Sequence, residues 1–121
     1  MTASQQTQAQ GQLRGILPGE AAPHFFCATQ SNPRYAFSTV AGRYIVMLFF
    51  GSTTHPDAEN ALKAVQQHRN LFDDNKFCFF GVSIDQRDEQ NPLTKEQVPG
   101  VRCFRDYDGA VSAQFGALDA P

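Results

Sequence analysis

Residues Ser52, Thr53, Thr54, His55, Pro56 and Asp57 place three hydroxyls, an imidazole and a carboxyl between an apolar run ending at Gly51 and a segment of helical periodicity. A strand-to-helix turn suits chemistry because the first N–H groups of a helix lack intrahelical partners and its dipole favours negative charge there. Three chemistries fit. A thiolate would be stabilised, yet no cysteine lies between Cys27 and Cys78. A hydroxyl is far less acidic than a thiol and forms no sulfenic intermediate. His55 and Asp57 have the H-x-D spacing of a facial-triad iron site, which needs a second histidine. Only His24 and His68 are available, and His68 falls about three turns down the same predicted helix. No metal and no cofactor is therefore expected. The third chemistry is capture of an anion by free N–H groups and threonine hydroxyls, opposed by the negative charge of Asp57 and Glu59.

The thiols are Cys27, Cys78 and Cys103. Their odd number, wide spacing and lack of a C-x-x-C pair argue against a disulfide framework and a zinc knuckle. A reducing cytoplasm is the expected location. Cys78 and Cys103 lie inside apolar runs and read as small core residues. Cys27 lies in an extended segment, is the most accessible of the three, and is the candidate for a displaced reactive thiol. Arg34, Arg43, Arg102 and Arg105 are the cations nearby in sequence, with solvated surface as their default role.

These residues need a scaffold. At 121 residues the chain makes one domain. Residues 1–15 are Gln-rich, lack an apolar face and read as a flexible tail, leaving a domain over 16–121. Tyr44 to Phe50 is a continuous apolar run without alternation, the pattern of a central parallel strand covered on both faces. A helix is expected over about 57–72, with Ala58, Ala61, Leu62, Val65 and Phe72 on one face. Thr54 is its expected N-cap, Pro56 occupies the tolerant first turn, and Asp57 and Glu59 suit the dipole. Residues 76–85 read as a second buried strand and 101–107 as a third, and a short strand is expected around Tyr35 to Phe37. Residues 86–100 read as a polar loop with room for one short helix. Asp106, Asp108 and Gly109 form a turn before a final helix that ends near Gly116. Alternating strands and helices imply a parallel, helix-covered sheet.

Bulk properties exclude several classes. A net charge of −2 gives no attraction to nucleic acid or an anionic membrane. The longest apolar stretch, Tyr44 to Gly51, is far short of the roughly 20 residues that span a bilayer. The 11 phenylalanines cluster in apolar runs and point to core packing, because base stacking would need a basic groove beside them.

The succession "PGEAAPHFF", "AGRYIVMLFFG", a helix opening at Pro56, "FFGVSID" and "RDYDGAVSAQFGAL" resembles the peroxiredoxins, the alkyl hydroperoxide reductase and thiol-specific antioxidant group, over about residues 17 to 118. The resemblance implies an α/β, thioredoxin-like three-layer sandwich of the peroxiredoxin type. It also implies a peroxidatic cysteine in the first turn of the helix after the central strand. Here Pro56, Asp57 or Glu59 stands at that place. The family continues into a β-hairpin and closing helix, one strand of which carries a thiol-activating arginine; these are missing before Pro121. Cysteine-less redoxin domains of this kind resemble those ahead of iron- and 2-oxoglutarate-dependent oxygenases. The leading expectation is a redoxin domain that has lost peroxidase chemistry and serves as a structural or interaction module. Its expected partner is its own downstream domain or a second copy. Two alternatives remain: a thiol oxidoreductase using Cys27, and an anion-binding module at Ser52–Asp57. Without the hairpin, an open edge is expected along Tyr44–Phe50.

Overall fold

The computed structural model describes residues 21–117; the expected tail at 1–15 lies outside them. The chain opens with a small antiparallel pair, β1 (Phe26–Cys27) and β2 (Tyr35–Ala36). A 3-10 turn over Phe37–Val40 leads into β3 (Tyr44–Gly51), then α1 (Pro56–Gln67) and a 3-10 turn at Arg69–Leu71. β4 (Phe77–Ser83) is followed by two 3-10 turns, Gln86–Gln90 and Pro92–Thr94, then β5 (Val101–Arg105) and α2 (Ala110–Gln114).

β3, β4 and β5 form one parallel sheet in that order. The pleat of β4 sends alternate side chains to opposite faces. Cys78, Phe80 and Val82 pack with Phe25, Tyr35, Phe37, Val40, Phe104 and Val111 on one face. Phe79 packs with Leu62 of α1 and Val101 on the other, against Leu48, Phe50, Val65 and Phe72. Two apolar layers flanking one sheet give the expected three-layer α/β arrangement, a thioredoxin-like redoxin fold. Gly81 permits a close contact within the sheet. A Cβ there would lie 2.9 Å from both Cys103 Sγ and a Phe50 ring carbon.

Several boundaries differ from expectation. The fully covered central strand is β4. Among the described residues β3 pairs with β4 alone, and Tyr44 and Val46 are 73% and 52% exposed. An unbroken apolar run reports contact on both faces but says nothing of neighbours on both edges. Among the described residues the other edge of β3 is unpaired, as expected from the sequence. α1 ends at Gln67, short of Phe72; Phe72 still reaches the α1-side core after the 3-10 turn. Phe37 leaves the expected strand because it begins a 3-10 turn that buries it with Val40. β4 stops at Ser83 and β5 at Arg105, since Asp85 and Asp106 begin capping interactions instead. The expected polar loop holds two 3-10 turns, capped by the Asp85 and Asn91 side chains.

Candidate functional site

The turn from Ser52 to Asp57 sits at the C-terminal end of β3 and opens α1. Gly51 adopts φ 74°, a left-handed conformation that glycine takes without strain, and so turns the chain out of the strand. Pro56 is the first residue of α1, as its fixed φ favours. The N-cap is His55, not Thr54, and its side chain makes no capping bond. The Thr54 hydroxyl instead lies 2.9 Å from Ser52 Oγ, and Ser52 Oγ accepts the Thr54 N–H at 3.2 Å.

Two carboxyl groups from the segment after β4 hold this turn. Asp88 is 2% exposed. Its Oδ1 accepts the Thr53 N–H at 3.0 Å and the Thr53 hydroxyl at 2.6 Å, and its Oδ2 accepts the Ser83 hydroxyl at 2.6 Å. Asp85 accepts the Ser52 hydroxyl at 2.7 Å and pairs with Arg87 Nη2 at 2.7 Å. The Arg87 bonds, aided by Ser52, hold the Asp85 carboxyl well below the usual carboxylate range. The Thr53 N–H that an external anion would use is therefore bound to an internal carboxyl. Those of Thr54 and His55 are bound within the turn, the latter to Ser52 O at 3.2 Å, and Pro56 has none. The Asp57 and Ala58 N–H groups, in the first turn of α1, lie outside this network, and the helical ladder begins with the Glu59 N–H on His55 O at 3.1 Å. Asp85, Asp88 and Ser83 were not singled out from sequence, where 86–100 read as solvated loop.

Beside the turn lies a hollow of about 330 Å³, floored by Leu48, Phe49, Phe50, Ala58 and Ala61, with His55 and Asp57 at its rim. No thiol lines it. Cys27 lines a separate cleft of about 480 Å³ with Arg34, Arg105 and Asp106. It is half-buried, as its accessible position suggested. Burial and then the Asp106 charge push its thiol up to about 11. Burial alone dominates at Cys103, pushed up to about 12, and also raises Cys78 despite a contact from Arg43. Nucleophilic thiols need the opposite shift. All three cysteines are free. Cys103 is opposite Gly81 in the β4–β5 ladder.

Among the described residues no group of three or more His, Cys, Asp or Glu side chains could hold a metal ion, and no helix is long and apolar enough to cross a membrane. Comparison with protein families matches residues 18–121 to the model described as the AhpC/TSA family. No curated protein matches the chain significantly.

Proposed function

The chain belongs to the AhpC/TSA family, and from that premise we propose that it is a redoxin domain without peroxidase chemistry, working as a structural or interaction module. The observation that carries this reading is the α1 mouth. Where the family resemblance calls for a thiolate, this chain has Pro56, Asp57 or Glu59, and the turn itself is closed by Asp88. An acidic rim repels the anion that peroxide reduction requires. The open β3 edge and its exposed Tyr44 and Val46 favour association, with a downstream domain or a second copy as the partner, in the cytoplasm.

Hydroperoxide consumption with thioredoxin or dithiothreitol as reductant tests this. The expected rate equals the no-protein control. Turnover that disappears on replacing Cys27, Cys78 or Cys103 overturns the reading.

The oxidoreductase alternative, an antioxidant thiol at Cys27, rests on its accessible cleft. Its raised pKa opposes it. Only the thiolate attacks iodoacetamide, so at pH 7 a thiol titrating near 11 reacts far more slowly than an unperturbed one. The expected Cys27 rate climbs about ten-fold per pH unit from 7 to 10 and levels above 11. A plateau below pH 8 would revive the alternative.

A further inference from the structure

The unpaired edge of β3 has a pattern of its own. Tyr44 donates its N–H to Lys76 O at 2.7 Å and lies opposite Phe77 in the parallel ladder with β4. A strand residue turns its N–H and C=O to the same side, and its neighbours turn theirs to the other. Tyr44, Val46 and Leu48 therefore bond to β4, while Ile45, Met47 and Phe49 point their N–H and C=O groups away from it. Among the described residues no strand takes them. Proteins commonly guard such an edge with a charge or a proline, and Tyr44–Gly51, YIVMLFFG, has neither. The Ile45, Met47 and Phe49 side chains pack against the core, so the edge is held as an extended ladder.

The α1 side of the strand adds two features. The exposed Tyr44 ring stacks on Phe77, with centroids 5.5 Å apart and 22° between planes, and leaves its outer face free. Further along, the hollow of about 330 Å³ opens beside Phe50, with an apolar floor and His55 and Asp57 at its rim. Phe49 packs toward the other face of the sheet and still lines this hollow, which places it at the β3 edge. An apolar floor with a polar rim suits an aromatic ring that carries a hydroxyl. Tyr44 stands as far before Met47 as Phe50 stands after it. A two-fold axis at Met47 therefore brings the ring of each copy to the hollow of the other. An unrelated strand could satisfy the backbone groups, but a second copy supplies both ring and hollow at matching positions.

We propose that two copies of this chain pair antiparallel along β3 about a two-fold axis at Met47, joining their sheets into one. Met47 pairs with Met47 of the second copy and Ile45 with its Phe49, so every outward N–H and C=O of these residues is bonded. Val46 comes opposite Leu48 of the second copy and Tyr44 opposite its Phe50, where the free face of the ring closes the hollow. The proposal rests on the interaction-module reading and names its partner. Sedimentation equilibrium of the 121-residue chain, with amide exchange followed by NMR across the same concentrations, tests it. A reversible monomer–dimer equilibrium is expected. Exchange at Ile45, Met47 and Phe49 slows as the dimer forms, whereas Tyr44, Val46 and Leu48 are protected at every concentration. Tyr44→Ala weakens dimerisation about a hundred-fold, since the symmetry removes a roughly ten-fold contact twice. Leu71→Ala, at an exposed apolar residue outside β3, leaves it unchanged. A monomer throughout, a dimer in which Ile45, Met47 and Phe49 still exchange freely, or unchanged dimerisation in Tyr44→Ala overturns the pairing and leaves the module reading standing. That reading fails separately, by thiol-dependent peroxide turnover. The exchange pattern is read on the native chain and decides the matter should Tyr44→Ala fail to fold.

Discussion

A buried aspartate holds the chain at the entry to each helix, at the first turn of α2 and in the turn before α1, but from very different distances along the chain. At α2, Asp106 lies just upstream: its Oδ1 accepts the Val111 N–H at 3.0 Å and its Oδ2 the Ser112 N–H at 2.7 Å, while Asp106 O accepts the Gly109 N–H at 2.9 Å. At α1, the carboxyl comes from Asp88, 35 residues beyond Thr53. Both aspartates are 2% exposed, and both lean on Ser83 at the end of β4: its hydroxyl donates to Asp88, and its carbonyl accepts the Asp106 N–H at 2.8 Å. A local cap secures one turn of chain. A distant one ties the end of β3 to the end of β4, so it fixes tertiary structure as well as the turn. In this fold the mouth of α1 has become a structural joint.

That contrast can be broken most directly at Asp88. Asp88→Ala strands the Thr53 N–H and hydroxyl, leaves the Ser83 hydroxyl only its 3.1 Å bond to Asp85 O, and removes a link between two strands. The expected loss is about 3 kcal/mol in urea unfolding. Hydrogen exchange should accelerate at Thr53 and through the first turn of α1 and leave α2 protected. Equal acceleration in both helices would mean that Asp88 supports the whole domain rather than one joint.

Asp106→Ala is the matched perturbation. It strands two buried N–H groups of a short helix, with an expected cost of about 2 kcal/mol. The exchange pattern should reverse, with α2 opening and α1 retained. A cost above that of Asp88→Ala would invert the ranking of local and distant caps argued from the geometry.

The same contrast explains what was legible in the sequence. Asp106, Asp108 and Gly109 are close enough together to be read as a turn before a helix, and Gly109 takes the positive φ expected of it, 74°. The apolar runs placed β3, β4 and β5, and the helical spacing placed α1, since periodicity is local. The strand order was not local. Neither the exposed edge at Tyr44 and Val46 nor the central position of β4 follows from a run of apolar residues. At the candidate site, Ser52 to Asp57 were found because a glycine, hydroxyls and a proline in succession announce a turn. Asp85 and Asp88 were missed because "DQRDEQ" looks like solvated loop until the fold carries it to the end of β3. The Thr54 cap was misassigned for a related reason: the motif fits, but a hydroxyl beside Ser52 has a nearer partner than the helix N–H groups.

The smallest expected effect tests that last point. If Thr54 were the N-cap, its replacement by alanine would cost about 1 kcal/mol, as at other capping threonines. In the structure its hydroxyl contacts only Ser52 Oγ, at 2.9 Å on an exposed part of the turn. Ser52 retains its bond to Asp85 without it. Thr54→Ala should therefore change the urea midpoint by less than the equivalent of about 0.5 kcal/mol, with Thr53→Ala costing more, because Thr53 Oγ1 donates to buried Asp88 at 2.6 Å. A larger loss at Thr54 than at Thr53 would return the cap to the position the sequence pattern assigns it and remove Asp88 from control of the α1 mouth.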